Sequence, residues 1–377
     1  FPLAAVGHKI GGPGKVSVIA SGLFGSISGS AIANTVSTGA FTIPMMKKAG
    51  FRPHIAGGIE PAASIGGMFM PPIMGAGGFI MAELTGVPYS QIMLVAVFPA
   101  LMYFFSVFVM VHYEAKKHNI VGERSKVSAM EILRREWFYV LPLVTITIFM
   151  LAGYSPGYSA ILGVLTCIAV SWVRVDTRIG LKGFIEASRA GAESSLKIGA
   201  TVGVIGIIIG VLTYSGLVLT FADIVIELAD GRLFLTIVLI ALASLVLGMG
   251  VPVTAAYLIT AVVAVPALTH LGVNEIAAHM IVYWLSQDSN ITPPVCIAAF
   301  AGATIAKANM WKTAFTAFKF AKFLYLGPFL FGYVPGFTLN GSSTDILVAF
   351  VLIFFATWAY SWLLSGIWLN WFNKKAT

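Results

Sequence analysis

Long apolar stretches separated by short charged segments dominate the chain. Residues 91–112, 137–151, 158–173, 198–214 and 346–371 are continuously apolar and approach or exceed the roughly 20 residues that cross a bilayer as a helix. Hydrophobicity that runs without alternation predicts helices rather than a barrel. Two further apolar regions are interrupted, and in matching ways. Gly29-Ser30-Ala31 is followed by Met70-Pro71-Pro72, and at nearly the same distance Gly248-Met249-Gly250-Val251-Pro252 is followed by Thr292-Pro293-Pro294. A proline pair removes backbone donors and pushes the preceding residue out of helical geometry. Residues 54–86 and 274–308 are therefore predicted as broken helices, and 16–46 and 233–271 as re-entrant helical hairpins. Interrupted segments at corresponding places in two halves point to a transporter's binding site.

Composition strengthens the assignment. Hydrophobic residues make up 58% and charged residues 10% of 377, and the mean hydropathy is +0.91, whereas about a quarter of residues are charged in soluble domains. The predicted fold is an all-α polytopic membrane protein with an ion-transporter-like inverted repeat, two re-entrant hairpins and discontinuous helices. Cys167 and Cys296 lie in apolar spans, so no disulfide framework is indicated. The chain opens at Phe1, already close to a hairpin, and further helices are expected upstream.

The net charge of +8 changes the picture through its placement. Let each broken helix cross the membrane once and each glycine-broken segment enter and leave by one side. Lys9, Lys15, Lys47, Lys48 and Arg52 then share a side with the basic loop 116–135, the segment 174–197, the cluster 307–322 and Lys374-Lys375, leaving Arg232 opposite. The basic side is cytoplasmic under the positive-inside rule, and the outer loops keep Asp223, Glu227, Asp230, Glu275 and Asp345. This sorting makes the two halves inverted. Residues 1–112 form the first repeat, with a hairpin at 16–46, a broken helix at 54–86 and a span at 88–112. Residues 113–197 hold a cytoplasmic loop, two spans and an amphipathic surface helix over 174–197. Residues 198–335 form the second repeat, and 336–377 an extra transmembrane helix.

The hairpin tips carry the candidate chemistry. In Gly25-Ser26-Ile27-Ser28-Gly29-Ser30, glycine allows the chain to reverse, and Ser28 or Ser30 can cap the next helix, with Asn34 one turn beyond. Helix N-termini suit anions, and C-terminal carbonyls suit cations. The second tip offers Gly248, Gly250, Pro252 and Thr254. The strips ahead of the proline pairs differ. Ser64-Ile65-Gly66-Gly67-Met68-Phe69-Met70 is almost all backbone and apolar, whereas Ser286-Gln287-Asp288-Ser289-Asn290-Ile291-Thr292 is rich in side-chain oxygens. A carboxylate at the depth of Asp288 is costly and points to a cation partner; the alternative is that it bonds to backbone amides exposed at the break. Glu60 and Glu83 lie nearer the ends of their half-helices, where interfacial roles are expected. Glu275 and His279 are expected to be a solvated pair at the outer end. Gly199-x-x-x-Gly203 and Gly206-x-x-x-Gly210 read as close helix packing.

Ser28-Gly29-Ser30-Ala31-x-Ala33-Asn34, Gly39, Ile43-Pro44-Met45-Met46, Met70-Pro71-Pro72-Ile73-Met74-Gly75 and Asn290-Ile291-Thr292-Pro293-Pro294-Val295 resemble the large membrane subunit of tripartite ATP-independent periplasmic (TRAP) transporters. The second proline region is most similar to the TAXI branch, in which small and large subunits are commonly fused. The resemblance runs from about Gly14 to Lys322. It implies a secondary transporter of the bacterial or archaeal inner membrane that takes a small carboxylate from a periplasmic binding protein, works with a small membrane subunit or its fused equivalent, and moves as an elevator. Coupling would use sodium, or protons, with no other cofactor. By the same resemblance, one cation site would use Ser28, Ser30, Asn34 and backbone near Gly66 and Pro71. A second would use Gly248, Thr254 and the strip from Ser289 to Thr292, to which the reading of the residues adds Asp288. Substrate would lie between the tips, near Ser28, Gly29, Ser30, Asn34, Gly250, Thr254 and Asn290. The span at 346–371 falls outside the resemblance.

Other classes fit less well. A hydrolase using Ser28 has no His or Lys base at a suitable spacing, and Asp288 lacks a second Asp. No nucleotide-binding loop is present, and the positive charge is explained without nucleic acid. An ion or anion channel on an inverted repeat is the remaining alternative.

Overall fold

The structure is a computed structural model that describes residues 1–123 and 127–368. Lys374, Lys375, Trp371 and part of the basic loop 116–135 lie outside the described residues. Regular structure among the described residues is helical, apart from one isolated bridge between Ile10 and Val121. Five of these helices are long and apolar enough to cross a membrane: Tyr89–Lys117, Leu181–Tyr214, Val253–His270, Met310–Tyr333 (bent at Ala321 and Lys322) and Ser343–Ser365.

Both predicted interruptions occur where glycine and proline require them. In the first hairpin, Gly12–Ser28 ends at Gly29, whose φ of 60° is left-handed, and Ala31–Lys48 begins after extended Ser30. Ser30 Oγ accepts the Ala33 N–H at 3.3 Å, which satisfies one free donor of the new helix. Lys47 and Lys48 occupy the last turn, where cations complement the helix dipole. The first broken helix consists of Pro53–Gly66 and Gly75–Thr85. In the second half, Leu233–Leu247 and Val253–His270 are separated by a turn through Gly250, with φ of 74°. Glu275–Leu285 and Ile297–Ala306 then flank a non-helical strip that holds only a short 3-10 turn, Asp288–Asn290. Both proline pairs are cis.

The core lies where the first hairpin, the first broken helix and Glu275–Leu285 meet. Phe69 stacks on Trp284 at 4.3 Å, and Tyr103 and Tyr283 meet the Phe69 ring edge-on at 5.7 and 6.0 Å. All four side chains are essentially inaccessible. Lipid tails are as apolar as leucine, so such packing carries association inside a bilayer, and each aromatic pair contributes about 0.5–1.5 kcal/mol beyond area burial.

Several expectations need correction. Leu181–Tyr214 is one unbroken 34-residue helix, so the expected surface helix and the span after residue 197 are continuous. Its amphipathic start passes directly into apolar sequence with no glycine-proline break. A side chain added at Gly199, Gly203, Gly206 or Gly210 would meet nothing within 4 Å, so among the described residues these glycines pack against no other helix. Asp223 and Glu227, expected in a loop, lie on a further helix, Leu217–Leu228. Lys15 and Lys322, counted on the basic side, are buried, each only 5% exposed. Lys15 Nζ lies 3.1 Å from His112 Nδ1, and Lys322 Nζ donates to Ser106 Oγ and O at 2.9 and 3.2 Å.

Candidate functional site

The first tip is held against the first broken helix by main chain meeting main chain. A Cβ on Gly67 would lie 2.4 Å from Gly25 Cα, and one on Gly29 would lie 2.9 Å from Gly75 Cα. Only glycine permits both approaches. Asn34 sits inside this seam, fully buried, and its Nδ2 donates to the Ser21 and Ser64 carbonyls at 2.9 and 3.3 Å. Its Oδ1 lies 3.2 Å from Thr38 Oγ1. The Asn34 side chain thus ties both arms of the hairpin to the broken helix. Ser30 is spent on the cap, whereas the Ser28 Oγ is buried with no hydrogen-bond partner.

In the strip at Gly66 to Pro71, expected to offer backbone to a cation, the Gly66, Gly67 and Met68 carbonyls already accept protein donors. Gly66 O accepts the Phe69 N–H at 3.1 Å. Tyr89 reaches the Pro72 and Ile73 carbonyls, each at 2.7 Å. Tyr283, from the second broken helix, reaches the Met68 carbonyl at 2.7 Å and also contacts that of Met74. Neither tyrosine was anticipated. Each satisfies carbonyls that the proline pair had freed, as buried main chain requires.

The second tip meets the second strip through a side chain: a Cβ on Gly248 would lie 2.9 Å from Ser289 Oγ. Gly250 has open space around it, and Thr254 is half-buried in the first turn of Val253–His270. Asp288, Ser289 and Asn290 are all buried. Asn290 Nδ2 donates to the Gln287 carbonyl at 3.2 Å, and Thr292 Oγ1 lies 2.6 Å from the Tyr325 hydroxyl. Yet Asp288 Oδ1 and Gln287 Oε1 are buried without partners. Unsatisfied buried acceptors are rare and call for an explanation such as an ion, and an uncompensated buried carboxylate is costlier still. Of the residues expected here, Asp288 and Ser289 lie at this oxygen-rich point with Gly248 against them, and Gln287 joins them.

Glu60 and His279 are both misplaced by the sequence reading. Glu60 is inaccessible in the middle of Pro53–Gly66, not interfacial. Its carboxylate receives the hydroxyls of Ser17, Ser21, Thr38 and Thr42, with Ser64 Oγ at 3.5 Å. The signal was present as three pairs spaced i, i+4 on otherwise apolar helices: Ser17 and Ser21, Thr38 and Thr42, Glu60 and Ser64. Such pairs share a helix face. His279 is 5% exposed rather than solvated, with Nδ1 at 2.8 Å from the Tyr257 hydroxyl, while Glu275 remains exposed at the helix start. Glu83 is exposed near a helix end.

Together, the spanning helices, the two broken helices each seated on a glycine-tipped hairpin, and the polar groups buried at those seams define a polytopic membrane transport protein. Residues 1–337 match the family "Tripartite ATP-independent periplasmic transporter, DctM component", and the chain belongs to that family. It is 25% identical over 299 residues to a putative TRAP transporter large permease protein of Haemophilus influenzae, covering 78% of this chain and 69% of that protein. It is 23% identical over 303 residues to the sialic acid TRAP transporter large permease protein SiaM of Vibrio cholerae, covering 80% and 70%. A shorter match, 28% over 160 residues, reaches the 2,3-diketo-L-gulonate TRAP transporter large permease protein YiaN of Escherichia coli, covering 41% and 37%. The family is one of transporter permeases, so the chain is not an enzyme.

Proposed function

We propose that this chain is the permease of a TRAP system of the inner membrane that receives a small organic acid from a periplasmic binding protein and is assisted by a small membrane subunit or a fused equivalent. Relatives named for sialic acid, 2,3-diketo-L-gulonate and C4-dicarboxylates support an organic acid as the cargo class. Movement of that cargo is coupled to sodium in an elevator-type cycle, with the two halves inverted. The observation that carries the sodium reading is the pair of partnerless acceptors, Asp288 Oδ1 and Gln287 Oε1, buried where the second tip meets the second strip. A hard cation takes oxygen ligands, and Asp288, Gln287 and Ser289 supply them. Ser28 Oγ is the corresponding orphan at the first tip. Helix ends and hydroxyls at the two tips then hold the carboxylate.

Uptake by the reconstituted chain with its binding protein and any small subunit, against a carboxylate panel with and without sodium, tests this reading. Saturable uptake that requires both sodium and the binding protein is the expected result. Non-saturable flux that needs neither would make the protein a channel.

A further inference from the structure

The Glu60 cage belongs to neither of the two proposed sodium positions. Its carboxylate is fully buried, and among the described residues no cation pairs with it. The charged groups on the surrounding elements are engaged elsewhere, exposed, or half-buried, as Lys117 is at the end of Tyr89–Lys117. On Gly12–Ser28, Lys15 is bound to His112 of Tyr89–Lys117. On Ala31–Lys48, Lys47 Nζ donates to the Ala306 carbonyl at 2.7 Å and Lys48 is exposed. On Tyr89–Lys117, the Tyr103 hydroxyl donates to the Ala62 carbonyl at 2.6 Å, and Glu114 lies 3.4 Å from His118. Lys312 and Lys319 of Met310–Phe320 are exposed, as is Arg52, with His54 half-buried near the start of Glu60's own helix. Ile297–Ala306 carries no titratable side chain.

The hydroxyls around Glu60 have a second choice of acceptor. Thr38 Oγ1 also lies 2.7 Å from the Asn34 carbonyl, and Thr42 Oγ1 lies 3.1 Å from the Thr38 carbonyl. Ionised, Glu60 accepts from Ser17 and Ser21 on one arm of the hairpin and from Thr38 and Thr42 on the other. Neutral, it donates its own O–H from Oε1 to Ser21 Oγ, Ser21 turns its hydrogen to Thr38 Oγ1 at 3.2 Å, Ser17 still donates to Oε2, and the two threonines turn to their own helix carbonyls. A hydroxyl both donates and accepts, so each charge state has a full set of partners and the backbone need not move.

We propose that Glu60 is a proton-binding site that links proton occupancy to the grip between the first hairpin and the first broken helix. The proton comes from water and returns to it, and only the carboxyl O–H bond forms and breaks. Protonation releases the second arm, Ala31–Lys48, from two of its bonds to Glu60, while the first arm keeps its serines. The same arm carries Asn34, so the effect reaches the tip.

Infrared difference spectroscopy of the full chain in lipid nanodiscs, titrated from alkaline to acid pH, tests the assignment. The expected result is a protonated-carboxyl band that grows as the pH falls, shifts on deuteration, disappears in Glu60→Gln and survives Asp288→Asn. Thr42→Val, which removes one donor from the anion, is expected to move the midpoint toward alkaline pH. If Glu60→Gln does not fold, 13C-glutamate labelling of the wild type still identifies a glutamate band by its isotope shift, and the Thr42→Val midpoint assigns it to Glu60. Amide protection in Ala31–Lys48, taken relative to the intrinsic exchange rate at each pH, should fall at acid pH in the wild type and not in Glu60→Gln. A carboxyl band unchanged by Glu60→Gln, or the absence of any pH-dependent glutamate band, overturns the proposal.

Discussion

The Tyr283 hydroxyl donates to the Met68 carbonyl at 2.7 Å, joining the second broken helix to the non-helical strip of the first. The two residues are far apart in sequence, yet the Tyr283 ring also fills the space above Gly77, where a Cβ would lie 2.2 Å from its Cε2. One side chain therefore satisfies freed main chain and occupies a glycine gap. The two halves are joined at the strip itself.

Tyr283→Phe keeps the ring and removes the donor. Leaving a buried carbonyl unpaired costs about 1–3 kcal/mol, so the variant should unfold at a lower temperature in detergent than the wild type. An unchanged unfolding temperature would show that water replaces the hydroxyl.

Gly29 and Gly250 hold matching places in the sequence and should respond differently. Gly29→Ala combines a left-handed φ of 60° with a contact 2.9 Å from Gly75 Cα, whereas Gly250→Ala meets open space and bears only the conformational cost. That cost is roughly 1–2 kcal/mol. Transport should be abolished by the first and only reduced by the second, in assays normalised to folded protein. Equal effects would mean that the Gly29–Gly75 contact carries no weight.

Asp288→Asn should raise the sodium concentration for half-maximal uptake by about tenfold, the equivalent of roughly 1.4 kcal/mol. Folding should be maintained, because the substitution also removes an uncompensated buried charge. A sodium titration that superimposes on the wild type would make Asp288 structural.

Asn34→Ala and Ser30→Ala separate the two roles within the first tip. The first leaves the Ser21 and Ser64 carbonyls without the amide that serves them, and should lower stability by about 1–3 kcal/mol. The second loses a cap worth about 1 kcal/mol. Thermal unfolding of the two variants side by side checks the order, and a larger loss for Ser30→Ala would reverse it.

The breaks in the helices were legible because proline pairs and glycines beside polar residues coincide there, whereas single prolines such as Pro44, Pro61 and Pro99 stand inside continuous helices. Pro71-Pro72, Pro293-Pro294, Gly29 and Gly250 each interrupt the chain within a few residues of the expected place. The Asp288 strip was legible for a related reason, since a run of oxygens in apolar sequence has few innocuous explanations. Glu60 was not, because its partners come from three helices and only tertiary packing brings them together. Position along a half-helix was a poor guide to depth, and it failed again at His279, which Tyr257 covers. The length of Leu181–Tyr214 escaped because a change from mixed to apolar composition does not require a change of backbone.

That helix has a consequence of its own. Thirty-four residues make a rod about 51 Å long at 1.5 Å per residue, well beyond the hydrocarbon thickness of roughly 30 Å. Its charged half, with Lys182, Glu186, Arg189 and Glu193, and its apolar half, with Val202, Ile207 and Val211, cannot both fit inside the bilayer. The water–lipid boundary must therefore cross the rod near the change in composition. Spectroscopic labels placed along it would serve as a depth gauge fixed to the chain, against which vertical displacement of the hairpins could be read in ångströms.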